Sequence, residues 1–313
     1  MLRLARTKRA AMTTALGVAA LLLLLFFLSP LRPSFAWNAT GHMVIGAIAE
    51  PRLNPVARAN VERLLKINAS PKSATFITAG VWMDDVRAQG VGYFDRWHYH
   101  NRAHSPDGTP FPKEPHADNV AWAINESVTM LGDKYVPNFE KARALRILIH
   151  TVQDIHQPLH AGSRYTAVLP EGDRGGNGFR LSRVGKAKNL HAYWDSAIGL
   201  FAENLDRPLP PTSEPVVTLA RSVVAAYPPE KLPERAELNP EKWLDEGYQL
   251  LTTVVYPTSA TPDEAYVVRS REIARRRVAL AGYRLAALLN TIWPAEGAAV
   301  RATSAAQAGK TRR

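Results

Sequence analysis

The stretch His150-Thr151-Val152-Gln153-Asp154-Ile155-His156-Gln157-Pro158-Leu159-His160 sets imidazoles and a carboxylate at the end of an apolar helical pattern. That pattern runs over Phe139–Gln157, with Leu145, Leu148, Ile149, Val152 and Ile155 on one face, the spacing of a helix buried along one side. His150 and Asp154 stand four residues apart, so both side chains leave the helix on one face, a turn from each other. Pro158 cannot continue the helix; the chain turns there and brings His160 back toward the same region. A carboxylate set in such surroundings is costly unless a partner satisfies it.

The flanking segments are also helical. Asn54–Lys66 opens with an Asn cap and a Pro in its first turn. Ser73–Gln89, Ala117–Leu131, His191–Glu203, Pro215–Ala226, Pro240–Val255 and Pro262–Trp293 carry apolar residues at helical spacing. Only Gly172–Val184, where a Gly-rich run precedes Phe179-Arg180-Leu181-Ser182, has the pattern of a β-hairpin. The expectation is an all-α fold: a single helical domain over 37–294 with one short hairpin. The tail Ala295–Arg313 is small, polar and basic, the composition of a disordered segment.

The chain of 313 residues has no cysteine, so disulfides, thiolate metal sites and cysteine nucleophiles are excluded. Any metal must then be held by His, Asp, Glu and backbone groups, and the chemistry sits in the histidines and their spacing to aspartates. His191 and Asp195 repeat the four-residue spacing of His150 and Asp154. Asp84 lies in Val81-Trp82-Met83-Asp84-Asp85, His98 in Arg96-Trp97-His98-Tyr99-His100, and His42 five residues after Trp37. Each has a plainer reading alone: a hydrogen-bonded pair, a solvated Asp-Asp face, a core tryptophan. Together they supply ligands for more than one metal ion, and imidazole with carboxylate is the usual zinc donor set when thiolate is absent.

The N-terminus bears on that chemistry. A basic stretch, Arg3 to Arg9, leads into the leucine-rich run Ala15–Leu28; Ser29-Pro30 breaks the run and Ser34-Phe35-Ala36 follows. This is the order of a secretory signal peptide over 1–36, and the run is shorter than the ~20 apolar residues of a spanning helix. Export through a cleaved signal, to periplasm or medium, is expected, with no stable membrane association afterwards and a monomeric product. Cleavage after Ala36 leaves Trp37 with a free α-amine. It also removes Arg3, Arg6, Lys8, Arg9 and Arg32, so the formal charge of +11 falls to +6. A modest positive balance suits a polyanionic substrate without identifying it.

The order Trp37…His42, Trp82-Met83-Asp84, Trp97-His98, His150-(x3)-Asp154-Ile155-His156-Gln157-Pro158-Leu159-His160, Gly175-Gly176-Asn177 and Asn189-Leu190-His191-(x2)-Trp194-Asp195 resembles the S1/P1 nuclease family. The resemblance implies a zinc-dependent endonuclease that binds three zinc ions and cleaves single-stranded DNA or RNA to 5′-nucleotides, with 3′-nucleotidase activity. One ion would be held by Asp84, His98, His150 and Asp154. A second would take the Trp37 amine and carbonyl, His42 and Asp154 as the shared ligand. The third would use His160, His191 and Asp195. Two zinc ions ~3.5–4 Å apart can share a hydroxide of lowered pKa, so no protein base is required. Arg87, three residues beyond Asp84, resembles the phosphate-contacting position. Tyr99 fits the aromatic that stacks on a base, and Asn101 stands where the family carries an acid that hydrogen-bonds it. His156 reads as a group behind the ligands, and His100, His104 and His116 as surface residues.

Two rival classes are a zinc phospholipase C, which has a similar helical scaffold but cleaves lipid headgroups, and a periplasmic zinc-binding protein without catalysis. The Asp-Ile-His-Gln-Pro-Leu-His and Asn-Leu-His-x-x-Trp-Asp strings favour the nuclease over both.

Overall fold

The computed structural model describes residues 37–111, 116–182, 184–201, 205, 207 and 214–295. The signal segment 1–36 and the tail 296–313 lie outside the described residues. The structure is 60% helical, with α1 Ala39–Ala49, α2 Pro55–Leu65, α3 Phe76–Ala79, α4 Trp82–Ala88, α5 Val120–Gly132, α6 Asn138–Asp154, α7 Leu190–Asp195, α8 Glu214–Ala226, α9 Pro240–Leu250 and α10 Glu264–Ile292. Strands β1 Arg102–His104 and β2 Gly162–Arg164 pair in parallel, Arg102 opposite Gly162.

Helix α1 was not legible in the sequence. Asn38 caps it through its side-chain oxygen, which accepts from Gly41 N, and every residue except Ala39 and Ala47 is buried. A helix surrounded on all sides shows no amphipathic period, and α1 packs against α3, α8 and α10. Met43, Val44, Ile45 and Ile48 share a core with Trp37, Trp194, Val216 and Val278. A second core gathers the apolar face of α6 (Leu145, Leu148, Ile149, Val152) with α2, α5 and α9.

The helical expectation holds, with corrections at particular places. The Ser73–Gln89 pattern forms two short helices, α3 and α4. The pattern from His191 stops at Asp195 because Ala197, Ile198 and Gly199 all adopt positive φ, a conformation a helix cannot absorb and one that costs a β-branched residue most. Arg271 donates to the Ile198 carbonyl there. The Pro240–Val255 pattern is continuous, but its last turn, Leu251–Val255, widens to a π-helix. The expected Gly172–Val184 hairpin does not form: the described residues of that segment turn repeatedly, and Arg180 makes one isolated bridge to Asn189. Glycines there serve close approach to neighbouring segments, Gly175 to the Leu159 carbonyl and Gly176 to the Leu159 side chain, instead of a hairpin turn.

The small parallel sheet has a positioning role. His100 N–H donates to the His160 carbonyl at 2.8 Å and Arg102 N–H to the Ala161 carbonyl at 3.2 Å. The segment after His98 is thereby fastened along the segment after His160.

Candidate metal centre

Helix α6 delivers His150 and Asp154 on one face, both fully buried. Pro158 then starts a 3-10 turn, Pro158–His160, whose first amides are capped by Gln157: its side-chain oxygen accepts from Leu159 N at 2.7 Å. The same side chain donates through Nε2 to Asp195 Oδ1 at 2.8 Å, so one residue aligns ligand candidates on two elements. His42 comes from α1, Asp84 from α4, His98 from the turn Asp95–His98, and His191 and Asp195 from α7.

These side chains converge. Asp154 Oδ2 lies 3.0 Å from both His98 Nδ1 and His150 Nε2. Its other oxygen, Oδ1, faces His42 Nε2 at 3.5 Å. Asp84 reaches His42 Nε2 at 3.6 Å and His150 Nε2 at 3.8 Å. His191 Nε2 and Asp195 Oδ1 are 3.5 Å apart, and the His160 ring packs 5.1 Å from that of His191. Three groups have donor atoms within 4.8 Å of one another: His42, His150 and Asp154; Asp84, His98 and His150; and His160, His191 and Asp195.

The hydrogen bonds settle how the rings are turned. His150 Nδ1 meets the Gly80 carbonyl at 2.6 Å, His160 Nδ1 the His98 carbonyl at 2.5 Å, and His191 Nδ1 the Gly175 carbonyl at 2.6 Å. A carbonyl only accepts, so each Nδ1 carries a proton and each Nε2 is the nitrogen turned to the site. His150 Nε2 then faces a carboxylate oxygen at 3.0 Å, an arrangement that demands a cation between them or on the ring. Buried His42 Nε2, His160 Nε2, Asp84 Oδ1 and Asp154 Oδ1 have no hydrogen-bond partner. Orphaned donor atoms of this kind, converging from helices with anchored far sides, fit metal ions.

The electrostatics of the ion-free cluster carry the same signature. Burial pushes Asp84 up to about 7 and holds His42 and His160 down to about 3. At His150 burial opposes charge, but Asp154 and Asp84 outweigh it and raise the ring to about 9. Burial likewise lifts Asp195 well above the carboxylate range. With His42 and His160 held neutral, the charged ring of His150 is left to balance the crowded carboxylates, a load that divalent ions would share.

Three residues that orient the ligand candidates carry no role in the sequence reading. Gln153 is fully buried and its Oε1 meets His42 Nδ1 at 2.5 Å, turning His42 Nε2 to the carboxylates. Gly80 makes room for it: a Cβ there would lie 2.6 Å from that oxygen. Gln157 acts on Asp195 as above. Gln153 left a trace only as a polar side chain within an apolar helix, Gln157 stands within the motif that ends at His160, and Gly80 left none. We expect Gln153→Leu to weaken the His42 metal site about 10- to 100-fold while the others stay filled. Chelator competition followed by elemental analysis measures this, and unchanged affinity would remove Gln153 from that role. Gly175, by contrast, was legible as part of a motif, and its reason is now visible. It has φ +61°, and a Cβ would sit 2.5 Å from the Leu159 carbonyl oxygen.

The remaining candidates are near the cluster. Asp84 is buried, while Asp85 pairs outward with both guanidinium nitrogens of Arg207 at 2.6 and 2.7 Å. Arg87 shares α4 with Asp84 and pairs with Asp95 at 3.1 Å. Tyr99 and Asn101 are half-buried beyond His98, and Asn101 adopts φ +63°, which Asn tolerates better than most residues. Trp37 is fully buried and donates through Nε1 to the Gln153 carbonyl at 2.9 Å. His156 is buried behind the site between the Val152 carbonyl and Arg284. His116 is exposed as expected, whereas His100 and His104 are half-buried, because the parallel sheet takes up their backbone.

A model of the S1/P1 Nuclease family matches residues 37–294. The chain belongs to that family. Endonuclease 2 of Arabidopsis thaliana is 26% identical over 82% of this chain and 90% of its own length. Endonuclease 4 of the same plant is 27% identical over 83% of this chain and 90% of its own. Nuclease S1 of Aspergillus oryzae is 22% identical over 52% of this chain and 54% of its own. As an S1/P1 family member the protein is a hydrolase, an endonuclease whose substrate is nucleic acid. The family match favours this over the lipid-headgroup and zinc-storage readings. Among the described residues no helix is long and apolar enough to cross a membrane.

Proposed function

We propose that this S1/P1 nuclease is exported and acts, as a monomer without stable membrane association, on single-stranded DNA or RNA and on 3′-nucleotides. In this reading it releases 5′-nucleotides using three zinc ions, the signal segment 1–36 having been removed from a catalytic domain over 37–294. Asp84, His98, His150 and Asp154 would hold the first ion. Trp37, through its amine and carbonyl, would hold the second with His42 and Asp154. His160, His191 and Asp195 would hold the third. The observation that carries this reading is the set of orphaned, buried donor atoms on His42, His160, Asp84 and Asp154. Zinc, when bound, supplies Lewis acidity toward phosphoryl oxygens and a lowered pKa for attacking water.

The chain's own residues do the rest. Asp154 turns one oxygen to His98 and His150 and the other to His42, the geometry of a shared ligand. Asp84 sits across from it, within 4.0 Å of His42, His98 and His150. Arg87, one turn beyond Asp84, offers its guanidinium to the scissile phosphate by exchanging Asp95 for it. Tyr99 would stack on a base and Asn101 hydrogen-bond its edge, which requires an unpaired nucleotide.

The test is elemental analysis of the processed protein beside cleavage of single-stranded and duplex DNA, with and without EDTA. Close to three zinc ions per chain, loss of activity on chelation and faster cutting of single strands are expected. One ion or none, or a duplex preference, would overturn the proposal.

A further inference from the structure

Tyr93, Phe94, Trp97 and Trp122 form a connected run of rings that the chemistry described above does not use. Tyr93 meets Trp97 edge-on at 5.7 Å, Trp97 meets Trp122 at 5.2 Å, and Phe94 meets Trp97 at 5.1 Å and Trp82 at 5.9 Å. The underside is anchored: buried Phe94 joins Met83, Ala123 and Ile147 in a small core on which Trp82 and Trp97 pack. The upper side is open to solvent, with Tyr93 74% and Trp122 38% exposed and Val91 beside them in sequence at 44%. Aromatic rings packed on one another from below and open to water above offer their free faces to a ligand.

Where the rings begin indicates what lies on them. Trp82 shares α4 with Asp84, and Trp97 immediately precedes His98, so the run is continuous with the segments that build the metal centre. Arg96, on the same turn as Trp97, is 54% exposed at its side chain and only 3.7 Å from its partner Asp118, a loose pair that a phosphate can displace. Fixed aromatic faces beside a guanidinium are the components of a sequence-tolerant single-strand platform.

We propose that Tyr93, Trp97 and Trp122 form a stacking ledge for bases flanking the cleaved bond, with Arg96 contacting the strand's phosphates. The inference rests on the nuclease reading and deepens it: the substrate it favours is an oligonucleotide several residues long, over a dinucleotide or mononucleotide.

The experiment compares KM for a thymidine 12-mer and for the dinucleotide dTpdT, using the zinc-loaded protein. Tyr93→Ala and Trp122→Ala should each raise KM for the 12-mer about tenfold more than for dTpdT, the scale of one lost base stack. Tyr93→Phe keeps the ring and should match the parent on both substrates. Equal effects on the two substrates, or none, would overturn the ledge, as would a change of oligomeric state as the main effect of the variants. Tyr93 is largely exposed, so Tyr93→Ala remains informative if Trp122→Ala is unstable; thermal melts separate the two cases. Failure of the parent protein to cut either oligonucleotide would bring down the nuclease reading itself, and the ledge with it.

Discussion

Asp154→Asn is expected to lower turnover on single-stranded DNA by at least about a thousandfold and to empty two of the proposed metal sites together. Asp154 is fully buried, and its two oxygens face different partners: His98 and His150 at 3.0 Å on one side, His42 at 3.5 Å on the other. The amide keeps the shape of the carboxylate but removes its charge and turns an N–H₂ group toward one set of ligands. That group donates where a metal ion requires a lone pair. The ring of His150, which Asp154 and Asp84 hold up to about 9 against burial in the ion-free protein, also loses its nearest counter-charge. Elemental analysis and turnover are measured on the same preparation, with thermal melting to show that the variant folds. Loss of one ion only would show that Asp154 serves a single site, and near-normal turnover would remove it from the mechanism.

The second large effect concerns the chain start. Protein beginning at Trp37 should cleave single strands, whereas protein with one residue added ahead of Trp37 should lose about one zinc ion and most of its activity. Trp37 is held at the site by its neighbours: its indole donates to the Gln153 carbonyl, next to Asp154, and Asn38 N–H donates to the Asp195 carbonyl at 2.9 Å. An α-amine there would offer a lone pair to the proposed metal ion shared with His42 and Asp154. An added residue converts it to an amide, whose nitrogen has no available lone pair at neutral pH, and crowds a position that is already fully buried. The other two ions should remain, so the comparison reads metal content as well as rate. Equal zinc and equal rates would make Trp37 a packing residue alone.

Much of the candidate site was legible because its residues follow helical arithmetic. His150 and Asp154, like His191 and Asp195, are four apart, and that spacing puts two side chains on one face whatever the rest of the fold does. Pro158 cannot continue a helix for a reason internal to its ring, so the return of His160 could be anticipated, although α6 already ends at Asp154. The apolar faces of α2, α5 and α8 could be read from their period, because each has a side that meets solvent, whereas α6 is buried on all sides from Ala144 to Asp154. Absence of cysteine restricted the ligand chemistry to His, Asp, Glu and backbone groups through composition alone.

What only the tertiary structure decided depends on neighbours distant in sequence. Helix α1 is enclosed on every side and so has no period to read. The Gly-rich run after Gly172 has the composition of a hairpin turn, yet its glycines serve close approach to the Leu159 carbonyl and support His191. The parallel pairing of β1 with β2 joins strands of three residues, too short to announce themselves in sequence. Which nitrogen each histidine turns to the site was likewise undetermined. It depends on carbonyls at Gly80, His98 and Gly175 and on the side chain of Gln153, and hydrogen bonds between segments so far apart exist only once the chain has folded. Residue identity and spacing along the chain determined which side chains could act as ligands; packing decided which way each of them faces.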